Sequence, residues 1–258
     1  MAGFTLKMIR DSFEQKREWE KQFPVNYYLV RPFSFYLTYI VLKITENPAK
    51  VALFGFIIGI IGCIFLAFSS MISIWPGICF ILLYSISDAV DGNVARTTKN
   101  VTLFGKYLDG IIGSLIDGNY FLFLGIGLYF SHGCGIPGLS PEQAGALALF
   151  LGSFVLVNKL WSDIFRSRHR IYRADKEGAS GIDKSGIYAP VKKSVFSEQW
   201  YFILFTNIEC LNNQLFLLII LSVLHLEIWF LVIFAGFFLV RSSAFGIYYF
   251  IKTREMLR

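Results

Sequence analysis

Residues 88–117 read DAVDGNVARTTKNVTLFGKYLDGIIGSLID. The stretch holds four aspartates (Asp88, Asp91, Asp109 and Asp117) with Arg96, Lys99 and Lys106, yet it lies between two of the most apolar segments of the chain. Charge inside a membrane helix is costly and marks function by default. Acids that merely neutralised Arg96, Lys99 and Lys106 would not need to be this numerous.

The surroundings define the solvent. Of 258 residues, 55% are hydrophobic, 17% aromatic and only 16% charged, against about a quarter charged in soluble domains. A helix needs about 20 apolar residues to cross ~30 Å of hydrocarbon. Six runs qualify as spans: 50–70, 74–95, 107–130, 143–165, 211–226 and 228–250, the fifth short and with an uncertain start. The runs are continuously apolar rather than alternating, which disfavours a β-barrel. The expected fold is all-α, a polytopic membrane protein. Residues 1–48 are read as N-terminal interfacial helices, and 49–258 as one six-helix transmembrane domain.

Lys and Arg cluster before the first span, between spans two and three, between spans four and five, and at the C-terminus. The turns near 71–75, 131–142 and 224–227 contain neither. The positive-inside rule then puts both termini and both basic loops in the cytoplasm. The net charge of +6 is topological, and nucleic acid is not an expected partner. Cys63, Cys79, Cys134 and Cys210 are scattered without zinc or disulfide spacing. Residues 4–22 mix apolar and charged positions, as in a helix lying on the membrane surface. The aromatic segment that follows contains Arg31-Pro32 and ends at Asn47-Pro48. As a seventh span it would begin and finish among positive charges, so a half-buried helix is the preferred reading. The Gly/Ser/Lys stretch ADKEGASGIDKSG has turn character and is expected to be mobile or ordered by a ligand.

If the second span is helical to about residue 98, Asp88 and Asp91 stand i and i+3 on one face, where both reach one cation. Gly92 and Ala95 are small and admit a bulky group, and Arg96 is suited to a phosphate. Residues 97–104 are read as turn. In the third span Asp109, Gly113 and Asp117 recur at i, i+4 and i+8, on one face. The short connection makes the two helices antiparallel neighbours, so Asp88, Asp91 and Asp109 can converge. Hard oxygen ligands favour Mg²⁺ or Mn²⁺ completed by substrate phosphates.

The string DAVDGNVARTTKNVTLFGKYLD resembles the signature of the CDP-alcohol phosphatidyltransferase family, D-x2-D-G-x2-A-R-x8-G-x3-D-x3-D. Asp88, Asp91, Gly92, Ala95, Arg96, Gly105 and Asp109 fall in register. ENPAKV, before the first span, is similar to the family's T-P-N-x-V-T segment. The resemblance implies a membrane transferase of phospholipid biosynthesis. It would move a phospho-alcohol group from a CDP-alcohol, CDP-diacylglycerol or a soluble one, to an acceptor alcohol, with release of CMP. It implies that Asp88, Asp91 and Asp109 bind the metal, and that Asp88, Gly92, Ala95, Arg96 and Gly105 form the nucleotide pocket. Arg96 and Asp109 would serve catalysis, and a homodimer is implied.

The last aspartate of the signature is replaced by Gly113. Three explanations are open: Asp117, one turn along, supplies the carboxylate; the acceptor needs little help to deprotonate; or the protein is a catalytically altered homologue that binds nucleotide or lipid. A transporter is the rival class, disfavoured because the acids cluster near one membrane face rather than at midplane. On the acceptor side, Arg241 is the one basic residue well inside a span and needs an anion or carboxylate. Lys159, Asp163 and Arg166 share one helix face. In the cluster RSRHRIYR, His169 is a weak base candidate.

Overall fold

A computed structural model describes residues 3–69, 72–131, 136, 138–176 and 200–257. Among these residues the structure is helical, without strands: α1 (Leu6–Ser12), α2 (Glu14–Glu20), a π-helical turn (Asn26–Val30), α3 (Arg31–Val41), α4 (Pro48–Ala67), α5 (Trp75–Thr97), α6 (Leu103–Phe130), α7 (Pro141–Lys176), α8 (Trp200–Glu209), α9 (Leu211–Val223) and α10 (Glu227–Leu257). Five are long and apolar enough to cross a bilayer: Pro48–Ala67, Trp75–Thr97, Leu103–Phe130, Pro141–His169 and Glu227–Glu255. Of the fifth expected span, 211–226, α9 covers Leu211–Val223, and a separate helix, α8, precedes it. Their separation at Cys210 has a local cause. The Gln214 side-chain amide donates to the carbonyls of Ile208 (3.0 Å) and Glu209 (3.3 Å), occupying acceptors at the helix end. The Gly/Ser/Lys loop lies almost wholly in 177–199, outside the described residues.

Two compact units emerge: the described residues of Met1–Gly62, Ile78–Gly113 and Gly186–Ile219, and those of Cys63–Gly77, Ser114–Ser185 and Ile220–Arg258. In the first, Ile9, Leu42, Val51, Val90 and Val94 form a buried cluster joining α1 and the end of α3 to α4 and α5. Asn47 accepts from the Ala49 N–H (3.0 Å), and Pro48 needs no partner at the start of α4, so Asn47-Pro48 acts as a cap. The π-helical turn precedes Pro32, whose missing N–H breaks the regular ladder. Along this segment Val30, Arg31, Ser34 and Thr38 are buried, while Tyr28, Leu29, Phe33, Tyr36 and Ile40 are exposed. Polar inside and apolar outside is the order a lipid-facing helix adopts.

In the second unit α7 packs along α10, and Tyr120, Phe121, Phe230, Phe234 and Phe238 form a buried aromatic cluster. Helices α6 and α7 meet backbone to backbone through glycines, as membrane helices do. A β-carbon at Gly125 would lie 2.6 Å from the Ala148 carbonyl oxygen, and one at Gly152 would lie 2.5 Å from that of Phe121. Gly152→Leu is therefore expected to cost about 3 kcal/mol or more, because rigid backbone cannot yield as side chains do. Thermal unfolding of the purified protein checks this, and an unchanged midpoint would refute the close approach.

Candidate functional site

The first charged cluster is built by α5 and α6. The last turns of α5 present Asp88 and Asp91, and the second turn of α6 presents Asp109. The sequence reading carries the second-span helix to about residue 98 and places turn as far as 104; α5 ends at Thr97 and α6 begins at Leu103, leaving 98–102 between them. The reason is capping at both ends. Lys99 takes a left-handed backbone (φ 55°) where α5 stops, and Thr102 Oγ1 accepts from the Gly105 N–H at 3.0 Å where α6 begins. Gly105 thus sits in the first turn of α6. The tight connection brings one oxygen from each of Asp88, Asp91 and Asp109 within 4.8 Å of the others; Asp91 is half-buried and the other two are exposed. Small rotations close that spread to the ~3–4 Å oxygen separations of a six-coordinate Mg²⁺ or Mn²⁺ shell. The three carboxylates fit a hard divalent ion.

Arg96 is half-buried one turn beyond Gly92, and a β-carbon at Gly92 would lie 3.3 Å from Arg96 Nη1. The missing side chain of Gly92 therefore leaves room for the guanidinium. Ala95 is half-buried beside it. Gly113 has nothing within 4 Å of an added β-carbon, so no neighbour requires a glycine there.

The N-terminal segment also reaches this helix, which spacing alone did not foretell. On α2, Lys16 is half-buried. Burial, then the nearby Arg96 and Arg31 guanidiniums, bring its ammonium down to about 8, against the opposing pull of Glu20 and Asp88. Arg31 and Glu20 form a buried ion pair, with both guanidinium edge nitrogens on the carboxylate. One signal pointed there: Arg31 is the single charge between Lys21 and Lys43, in an apolar and aromatic stretch.

The second charged cluster belongs to the other unit. Lys159 Nζ on α7 lies 3.3 Å from Asp117 Oδ2 on α6. Arg241, 3% exposed on α10, points Nη2 at Asp163 Oδ1 at 4.0 Å, and its guanidinium lies over the Phe245 ring at 4.9 Å. Arg166 lies over the same ring at 5.3 Å. Ser242 Oγ donates to Asn158 Oδ1 at 2.6 Å, joining the two helices at that level. Arg241, expected to need an anion or carboxylate, thus points at Asp163, while the Asp117 carboxylate pairs with Lys159. His169 is buried, with Nδ1 2.9 Å from Thr253 Oγ1 and its ring against Tyr249.

No match was found among curated proteins or among solved structures. Residues 46–163 match the family model described as CDP-alcohol phosphatidyltransferase. That interval contains α4, α5, α6 and most of α7, with all three converging aspartates and Arg96. The family's reaction is transfer of a phospho-alcohol group from a CDP-alcohol. Residues 46–163 are therefore similar to the CDP-alcohol phosphatidyltransferase domain.

Proposed function

We propose that this protein is a divalent-metal-dependent membrane transferase that moves a phospho-alcohol group from a CDP-alcohol to an acceptor alcohol and releases CMP. One observation carries the reading: three carboxylates from two joined helices of the family-matched segment converge within 4.8 Å. Asp88, Asp91 and Asp109 hold Mg²⁺ or Mn²⁺. Bound there, the ion supplies charge neutralisation for the donor's diphosphate. Arg96 donates hydrogen bonds to the same phosphates, and Gly92 and Ala95 keep the surface low for the nucleotide. The acceptor oxygen forms a bond to the phosphorus nearer the alcohol, the bond to the bridging oxygen breaks, and the electron pair leaves with CMP. The barrier falls through positioning and fixed charge.

The acceptor's proton needs a base. We assign it to Asp117, held by Lys159, and assign Lys159, Arg166 and Arg241 to an acceptor that carries an anionic group. The distribution of basic residues supports cytoplasmic termini with the site on the cytoplasmic side, and α8 with α9 as a sixth crossing. A second reading rests on Gly113: an altered homologue would bind nucleotide without turnover.

The test is CMP release by the purified protein from CDP-diacylglycerol and from soluble CDP-alcohols, with Mg²⁺, with Mn²⁺ and with chelator. Metal-dependent release from at least one donor is expected. Stabilisation by CDP without release from any donor would favour the altered homologue, and neither effect would refute both. Asp117→Asn is expected to lower turnover about a hundredfold, the size of a lost general base, while leaving CDP binding in place. Full activity in this variant would remove Asp117 from the mechanism.

A further inference from the structure

Asn93 occupies a variable position of the signature, between Gly92 and Arg96, and its side chain is completely buried. All four hydrogen-bonding positions of its carboxamide are used. Oδ1 accepts from Arg96 Nη2 at 2.7 Å and from Arg31 Nη1 at 3.4 Å. Nδ2 donates to Ser34 Oγ at 3.2 Å and to Thr38 Oγ1 at 3.2 Å. Those two hydroxyls give their own protons to backbone, Ser34 to the Arg31 carbonyl (2.9 Å) and Thr38 to the Ser34 carbonyl (2.6 Å). Their lone pairs therefore face Asn93, which orients its amide with nitrogen toward α3 and oxygen toward the two arginines.

Arg31 is itself fixed from three sides. Glu20, 2% exposed, takes two of its nitrogens, and the Phe13 ring lies 4.7 Å from the guanidinium carbon. The Glu20–Arg31 pair is neutral in sum, and an amide oxygen holds Arg96 without bringing a charge of its own. A carboxylate at the same place would draw on the positive charge that a phosphate needs. Every member outside α5 comes from residues 13–38, before the family-matched interval begins at 46.

We infer that Asn93 is a positioning residue for Arg96, and that the N-terminal segment, through Glu20, Arg31, Ser34 and Thr38, sets the orientation in which Arg96 meets the donor's diphosphate. The inference rests on the reading of the aspartate cluster and Arg96 as the diphosphate site, and it adds the N-terminal segment to that site as a working part.

The experiment is calorimetric titration of CDP into the purified full-length protein, with Mn²⁺ and again with chelator, for wild type, Asn93→Ala, Asn93→Asp, Asp91→Asn and the double variant Glu20→Gln/Asn93→Asp. Asn93→Asp is expected to stay folded, because a group of the same size still accepts from both arginines and the two hydroxyls can turn to donate. Its CDP affinity should nevertheless fall about tenfold or more, the effect of one charge-assisted contact. The double variant restores the number of carboxylates around the two arginines, and should recover affinity to within about threefold of wild type. A role confined to folding predicts no such rescue.

Asn93→Asp binding CDP like wild type would overturn the inference, as would a double variant no better than the single one. So would an Asn93→Ala loss that merely follows its folded fraction. If wild type binds no CDP with Mn²⁺ and Asp91→Asn behaves identically, the diphosphate reading fails and this inference falls with it. Wild-type binding that Asp91→Asn abolishes and Asn93→Asp leaves intact would sink the positioning role alone.

Discussion

Asp91→Asn should yield a folded protein that no longer releases CMP from its CDP-alcohol donor. The substitution keeps the shape of the side chain and one weak oxygen ligand, but removes the charge that makes a carboxylate a strong ligand for a hard cation. Asp91 is the half-buried member of the three and shares oxygens within 4.8 Å with Asp88 and Asp109. Losing it leaves two exposed carboxylates, which hold an ion far more loosely. Turnover should fall at least about a hundredfold, since in the proposed reaction the ion supplies the charge stabilisation at the diphosphate, commonly the largest single term.

Stability should move the other way. In the absence of metal, three like charges repel, so neutralising one leaves the metal-free protein as stable as wild type or more so. Mn²⁺ should stabilise the wild type by mass action and leave Asp91→Asn almost unmoved. Thermal unfolding with and without Mn²⁺, read beside CMP release, separates the two effects. Undiminished release, or undiminished stabilisation by Mn²⁺, would exclude the three aspartates as the metal site.

Arg31→Ala is expected to produce the largest loss of stability among single truncations of the N-terminal segment. Arg31 is 9% exposed and its partner Glu20 is 2% exposed. Removing one member of a buried pair strands the other charge in a medium that cannot solvate it, at a cost of about 3–5 kcal/mol. Glu20→Ala should cost a similar amount, leaving Arg31 with only the Asn93 oxygen and the Phe13 face among these contacts. Arg31→Lys should fall between, because an ammonium cannot match the two-pronged contact with Glu20. Replacing both residues by apolar ones of similar volume should recover much of the stability, as the stranded charge is then gone. Unfolding midpoints of the four variants check the series. A pair of single truncations as stable as wild type would mean that the ion pair is not buried in the folded protein.

The double variant also separates stability from function. With Glu20 and Arg31 both apolar the N-terminal segment can still pack, through Ile9 and Leu42 against Val51, Val90 and Val94, while the Asn93 oxygen loses one of its two arginines. Stability would return and CDP affinity would not.

Much of the architecture was legible in the residues because it depends on local periodicity and on solvent. Apolar runs long enough for a bilayer read as helices wherever they occur, and i, i+3 spacing puts Asp88 and Asp91 on one face whatever surrounds them. The short connection after Arg96 obliges α6 to return beside α5, so the approach of Asp109 followed from chain length. The connection ends two residues earlier than its expected end at 104, because Thr102 caps α6 and starts the helix at Leu103. Of the fifth expected span, α9 covers Leu211–Val223, and Gln214, one polar residue in a hydropathy window, takes the carbonyls at the end of α8, so the stretch before it stands as a separate helix.

What the sequence determined by itself is therefore the set of helices, their apolar solvent and the shared face of the first two aspartates, all consequences of covalent spacing along one helix. Only the tertiary structure decided that Arg31 and Glu20 close on each other, that one Asn93 oxygen serves two arginines, and that Asp117 belongs with Lys159 rather than with Arg241. Arg31 lies 11 residues from Glu20 and 62 from Asn93 within the first unit, and the partners in the second stand on different helices. A polar side chain inside an apolar bundle pairs with whichever group the packing brings within about 3 Å, and that choice is made by the whole fold, not by the neighbours in the chain.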